Sequence, residues 1–309
     1  LHLSIRRQRQ MCIRDSPLDM RKLSTMSNNS KNTGSAVNRR RFLQTTGTTG
    51  AAIALSTAAA NSANAQSSLS PRVEQHMVEP KLGERPFLHG VASGDPIPDS
   101  VILWTRVTPE ADAMPGSGLG EATRVEWEIA KDEGFGDVVK RGEVTTDASK
   151  DHTVHVDPHG LEPETVYFYR FKAQDKYSPI GRTKTAPALS ASPEELTFGV
   201  ASCANWESGF FNAYGDIAQR GRADQLDYMI FLGDYIYEYP QREYAGYGPV
   251  RLHHPAHEII SLEDYRIRFG RYRTDENLQA AHGALPWVVV WDDPVSYTHL
   301  RAHETPEHL

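Results

Sequence analysis

Cys203, Asp234 and Tyr237 are the residues whose types and spacing best support shared chemistry. In the stretch FLGDYIYE, Phe231 to Glu238, an apolar run breaks at Gly233, then sets down a carboxylate and, three positions later, a phenol. Residues three apart in a turn or helical opening project to one side, so Asp234 and Tyr237 can reach a single ion. A phenolate is a hard anionic oxygen donor, unusual for zinc and well suited to ferric iron. The chain has two cysteines, Cys12 and Cys203, so no disulfide framework holds it together. An unpaired thiol in an exported protein is exposed to oxidation, and coordination to a metal protects and uses it. A buried cysteine serving as a small hydrophobe is the plainer alternative. The neighbouring carboxylate and phenol favour the ligand reading.

Positioning these groups requires strands that end at one place. ELTFGVASC reads as a strand from Leu196 to about Ala201, and DYMIFLGD as a second. Between them ESGFFNAYGDIAQRG has Phe210, Phe211, Tyr214, Ile217 and Ala218 at helical spacing, with Gly221 as the stop. A strand–helix–strand unit implies parallel strands. After a long insertion, SLEDYRIRFGRYR opens with Ser261 and Asp264 placed as a capping box. Its apolar stripe is Leu262, Tyr265, Phe269 and Tyr272; Arg266, Arg268, Arg271 and Arg273 opposite it could steer an anionic substrate, but the pattern favours an ordinary solvated face. DENLQAAHG reads as a short helix, and PWVVVW as a buried strand ended by Asp292 and Asp293. In an open parallel sheet, ligands bind beyond the carboxyl ends of the strands. Cys203, Asp234 with Tyr237, and Asp292–Asp293 then lie along one edge, where carboxylates need a cation or hydrogen bonds to offset desolvation.

From about Phe87 to Ala186 the text changes to short strands: SVILWTRV, RVEWEIA, HTVHVDP and TVYFYRFKA, separated by Gly, Pro and Asp. In the last, Val166, Phe168 and Arg170 face one way, and Tyr167, Tyr169 and Phe171 the other. Leu161 and Pro163 before a tyrosine-led strand are typical of fibronectin-type sandwiches. His89, Asp95 and Asp99 sit in turn vocabulary and read as structural. RTKTAPALSASPEE, Arg182 to Glu195, reads as a linker.

A net charge of -7 and pI near 6.0 argue against a nucleic-acid partner. No apolar run reaches the roughly 18 residues needed to span a bilayer. Arg39, Arg40 and Arg41, followed by Phe42-Leu43, a mildly apolar segment and Ala63-Asn64-Ala65, read as an export signal of the twin-arginine type. That predicts a periplasmic or extracellular protein carried by the twin-arginine machinery. LHLSIRRQRQMCIRDS and PVSYTHLRAHETPEHL resemble translated sequencing-adapter text, so His299 and His303 are set aside as a metal pair.

ASCANWESGFFNAY, LGDYIYE, SLEDYRIRFGRYRTDENLQAAH and PWVVVWDD occur here in the order in which the alkaline phosphatase D (PhoD-type) metallophosphoesterases carry them. FLHGVASGDPIPDSVILWTRVTP is similar to that family's N-terminal sandwich, so the resemblance covers about Pro86 to Asp293. It implies an α/β metallophosphoesterase-like catalytic domain, incomplete, preceded by an all-β sandwich of fibronectin or Ig type. The implied organisation is a non-native leader (1–19), a signal peptide (20–65), the sandwich (85–187), a linker (188–195), the first half of the catalytic domain (196–293) and a non-native tail (294–309). It also implies a ferric ion (Fe3+) held by Cys203, Asp234 and Tyr237, calcium (Ca2+) nearby with Asp234 bridging, and action on phosphate mono- and diesters. Where the family continues with a histidine after the paired aspartates, this chain has Pro294, and Asp293 is carried over as a contributing metal ligand.

His253, His254 and His257 lie in an insertion expected to border the pocket and could bind metal or substrate, although they lack a fixed spacing that marks either role, and Trp206 and Tyr235 read as packing. A sandwich acting only as a binding module would account for Phe87 to Ala186 but leave the thiol, carboxylate and phenol unexplained. The expectation is therefore a phosphoesterase gene product, with the present polypeptide a shortened form that is unstable and has little activity, because a half-domain exposes strand edges and lacks part of its core.

Overall fold

The computed structural model describes residues 79, 83–246 and 248–290, all of them within one compact unit. The export-signal reading, both unusual ends, Asp292 and Asp293 lie outside the described residues. No helix among them is long and apolar enough to cross a membrane.

The first eight strands are β1 (Val91–Ile97), β2 (Ser100–Arg106), β3 (Thr123–Ala130), β4 (Val138–Thr146), β5 (Thr153–Val156), β6 (Val166–Ala173), β7 (Lys176–Tyr177) and β8 (Gly181–Lys184). One sheet runs β4-β3-β6-β7, with β8 also paired to β6. Alternation in β6 is as expected: Tyr167, Tyr169 and Phe171 are buried, while the residues between them are partly exposed. Those three rings join Val101 and Leu103 of β2 and Val125 and Ile129 of β3 in one apolar cluster, so the two sheets share a core. The Tyr167 hydroxyl accepts from the Glu162 amide at 2.9 Å, folding the chain back before β6. Strand β8 takes up the start of the stretch that reads as a linker, because Val166 to Tyr169 otherwise lack a partner on that side.

β9 (Phe198–Ala201), β10 (Tyr228–Phe231) and β11 (Trp287–Val289) are parallel, joined by α1 (Asn212–Arg222), α2 (Leu262–Tyr272) and α3 (Glu276–His282). The sheet order β5-β2-β1-β11-β10-β9 carries one sheet through both halves of the molecule. At the seam Gly94 faces Trp287, and a Cβ on Gly94 would stand 2.8 Å from the Trp287 carbonyl oxygen, so the strands can meet only at a glycine. Sequence patterning, which treats each segment alone, gave no sign of this shared sheet.

Helix α2 starts as expected: Ser261 and Asp264 form a reciprocal capping box. Gly221 does not stop α1 but lies inside it, where an added Cβ would come within 2.8 Å of Leu285. Its role is close packing. The stripe on α2 also differs from expectation. Leu262 is 66% exposed, whereas Arg268 is 0% and Arg273 1% exposed. The reason is hydrogen bonding: the neighbouring loops present carbonyl groups that need donors, and a guanidinium supplies five.

Candidate metal centre

The tips of β9 and β10 run on side by side beyond their last strand residues. Leu232 N donates to Ala201 O (2.9 Å), Cys203 N to Gly233 O (3.1 Å) and Ala204 N to Asp234 O (2.9 Å). Within this extension both Cys203 (φ 60°) and Asp234 (φ 57°) adopt the left-handed region. For side chains with a Cβ that conformation costs about 1–2 kcal/mol each, and such strain gathers where function requires a particular side-chain direction. Here it brings the two side chains together. The Cys203 thiol lies 3.3 Å from Asp234 Oδ2, and the Tyr237 hydroxyl donates to the same oxygen at 2.9 Å.

The sequence-predicted trio is thus one cluster around one oxygen. Cys203 is exposed, Asp234 half-buried and Tyr237 buried. Burial, then hydrogen bonding to Asp234 and Cys203, pushes the Tyr237 phenol above the usual tyrosine range. Among the described residues no ion pair to Asp234 is present, so acidic groups face one another without a countercharge. A cation placed among them would reverse the balance and favour the ionised phenol. The donor set, a thiol, a carboxylate and a phenol, fits a metal ion of high charge. Among the described residues no group of three His, Cys, Asp or Glu side chains could hold a metal, so the phenol is essential to this reading. β11 is parallel to β10 and reaches the same edge, with Val290 N donating to Phe231 O (2.8 Å). The aspartates expected just beyond it lie outside the described residues.

A model of the PhoD-like phosphatase N-terminal domain matches residues 72–187, and a PhoD-like phosphatase model matches residues 198–294. The chain belongs to the PhoD-like phosphatase family. It is 50% identical over 216 residues to alkaline phosphatase D of Bacillus subtilis (strain 168), an alignment covering 69% of this chain and 36% of that protein. It is also similar to a solved structure described as the structure of PhoD, at 48% identity and a TM-score of 0.63, covering 70% of this chain and 40% of the other. The chain therefore spans little more than a third of the length of its curated PhoD-like relative.

Around the cluster of this PhoD-like chain, other residues fall where the sequence did not put them. His253 is buried against Glu207 (3.6 Å), and burial, then the charge of Arg268, lowers its pKa to about 4. His257 takes Asp264 as its partner at 3.0 Å. Both therefore have carboxylate partners outside the trio. Trp206 and Tyr235 pack as expected: Trp206 lies under the Arg251 guanidinium at 3.6 Å, and the Tyr235 hydroxyl meets His282 Nε2 at 2.8 Å. Beside Tyr237 stand Tyr239 and Tyr244, whose rings are 4.7 Å apart, and Asn205 holds the Tyr244 carbonyl at 2.8 Å.

A cavity of about 690 Å³ reaches Asp234 from the side of β1 and α2, lined by Trp104, Tyr235, Phe269, Trp287, His89 and Arg273 among others. Phe269 is apolar for this reason: it packs against Trp104 and Tyr235 at the cavity wall. No sequence signal marked the cavity, because its lining comes from segments far apart in the chain. The buried arginines were legible only as a pattern of charges, and that pattern suits a solvated face equally well.

Proposed function

We propose that this chain derives from an exported, metal-dependent phosphoesterase acting on phosphate monoesters and diesters. Cys203, Asp234 and Tyr237 would hold its iron, Asp234 would also serve a neighbouring calcium, and Asp293 would contribute a further carboxylate. The single observation that carries this reading is the meeting of a thiol and a phenol on one carboxylate oxygen, held by two residues in left-handed backbone. Similarity to alkaline phosphatase D of Bacillus subtilis supports the substrate class. The fold we assign is a fibronectin-type sandwich followed by part of an α/β metallophosphoesterase domain. Export by the twin-arginine route to the periplasm or the exterior suits a protein whose metal is inserted before transport.

Bound metal ions supply charge neutralisation of the phosphoryl group and a lowered pKa for water. The chain's own residues supply the rest. Asp234 and Tyr237 present their oxygens from one turn, Cys203 closes the cluster from the neighbouring strand tip, left-handed backbone aims Cys203 and Asp234, and the hydrogen bond to Asp234 holds Tyr237. The cavity beside Asp234 gives one flank of the site room for a bound molecule between aromatic walls and the guanidinium groups of Arg266 and Arg273.

The test is iron content and turnover in Asp234→Asn. The 309-residue chain should retain iron and the variant should lose it. In a chain spanning the full length of the PhoD-like relative, hydrolysis of a chromogenic phosphodiester should fall about 10–100-fold in the variant. A variant with wild-type iron and turnover would refute the assignment.

A further inference from the structure

We infer that Arg268, with Tyr272 one turn later, is a positioning residue that sets the spacing between the two loops carrying the Cys203–Asp234–Tyr237 cluster. Arg268 and Tyr272 are four apart on α2 and share a face. Arg268 is 0% exposed, which excludes a role in attracting substrate from solvent. Its guanidinium donates to the carbonyls of Tyr237 and Tyr239 (3.3 Å) on one side. On the other it donates to those of His254 (2.9 Å), Pro255 (3.1 Å) and His257 (3.4 Å).

These acceptors come from the two ends of the insertion that follows Asp234. One planar group therefore closes the neck of the loop, directly on the backbone of the residue that offers the phenol. Tyr272 grips the other loop, its hydroxyl accepting from Trp206 N at 3.2 Å, three residues after Cys203. Arg251 braces the same place, donating to the Trp206 carbonyl (3.0 Å) and to Asp275 (2.6 Å). No hydrogen bond joins Arg268 or Tyr272 to a side chain of the cluster. They act through the backbone beneath it.

Lysine cannot reproduce this arrangement. It keeps the charge but has a single nitrogen, which cannot span both ends of the neck. A displacement of about 1 Å in a positioned group can cost about 100-fold in function. The functional consequence rests on the metal-centre reading, whereas the closed neck does not, and the test separates them.

Wild type, Arg268→Lys and the control Arg271→Lys are compared in the full chain. Arg271 donates to Leu252 O within the insertion but not to the Tyr237 end. One measurement is the rate of chymotrypsin cleavage after Tyr244 under native conditions. The other is ferric affinity, together with the tyrosinate charge-transfer absorption of the iron-loaded protein. Arg268→Lys should melt cooperatively, be cut about tenfold faster, and bind ferric ion about 10–100-fold more weakly with a diminished band. Arg271→Lys should match wild type in all three.

Wild-type cleavage and an unchanged band in Arg268→Lys would overturn the inference. So would loss of folding, because the arginine would then serve the core rather than the loop neck. A wild type without any tyrosinate band, beside faster cleavage of Arg268→Lys, would sink the metal reading while upholding the closed neck.

Discussion

Two tyrosines show how differently the halves of this molecule use the same side chain. In the sandwich, the Tyr167 hydroxyl is bonded to a backbone amide, and its ring belongs to a core closed by both sheets. At the tip of β10, the Tyr237 hydroxyl is bonded to a carboxylate that also meets a thiol. The first arrangement satisfies a polar group locally, and its removal is felt as lost stability. The second gathers three acidic groups on one oxygen, and under the proposed metal reading its main benefit is in holding a cation. The sheet repeats the contrast. Phe171 on β6 is 0% exposed, whereas Val200 on β9 is 60% exposed on a face without a covering layer among the described residues.

The sharpest break of this comparison is a pair of truncations. Phe171→Ala should destabilise by about 3–5 kcal/mol, because it opens a cavity between two sheets that cannot easily collapse. Val200→Ala should stay within about 0.5 kcal/mol. Urea unfolding checks both. Equal effects would mean that the β9 face is packed in solution and that the contrast is false.

Acid should act on the seam between the halves, and on buried His253 in the second half, over the same range. His89 and His282 both line the cavity there, each with an Nδ1 that lacks a hydrogen-bond partner. Burial, then the charges of Arg106 and Arg273, lowers His89 to about 3, and burial with Arg273 holds His282 well below its ordinary value. Both are neutral when folded, while the unfolded imidazoles take up protons near pH 6.5. Their stabilisation is complete above that value and is lost as pH falls from about 6.5 toward 3. Asp264 behaves differently. Burial raises its pKa, but hydrogen bonds from Ser261, His257 and Ile260 outweigh this and depress it, so its contribution fades only below about pH 4. Tm should therefore drop between pH 7 and 5, and His282→Gln should flatten part of that slope. A wild-type Tm that is level across this range would refute the account.

The sequence made the elements legible where the signal is local. Alternation in β6 and the capping box of Ser261 and Asp264 follow from patterns within a dozen residues, and the parallel character of β9 and β10 from one strand–helix–strand unit. The trio was legible too, because a carboxylate and a phenol three apart at a strand tip have few structural uses. The seam, the cavity and the buried arginines were not. Gly94 against Trp287 depends on two backbones meeting across the chain. Arg268 depends on carbonyls that its own helix does not contain. Charge on a helix reports a donor, but only the folded loops reveal where the acceptors are.

The smallest and most discriminating effect is a matched pair of hydroxyl deletions. Tyr167→Phe leaves the ring in place and removes the bond to the Glu162 amide, which should cost about 1 kcal/mol. Tyr237→Phe removes a bond to Asp234, whose carboxylate is half-buried and can recruit water in its place. Its cost to stability should therefore be smaller, within about 0.5 kcal/mol, although it should abolish the tyrosinate band of the iron-loaded protein. If Tyr237→Phe costs more stability than Tyr167→Phe, the phenol is chiefly a structural hydrogen-bond donor. The strand tip would then be built for folding, as the sandwich is, and the difference between the two halves would be one of address and not of purpose.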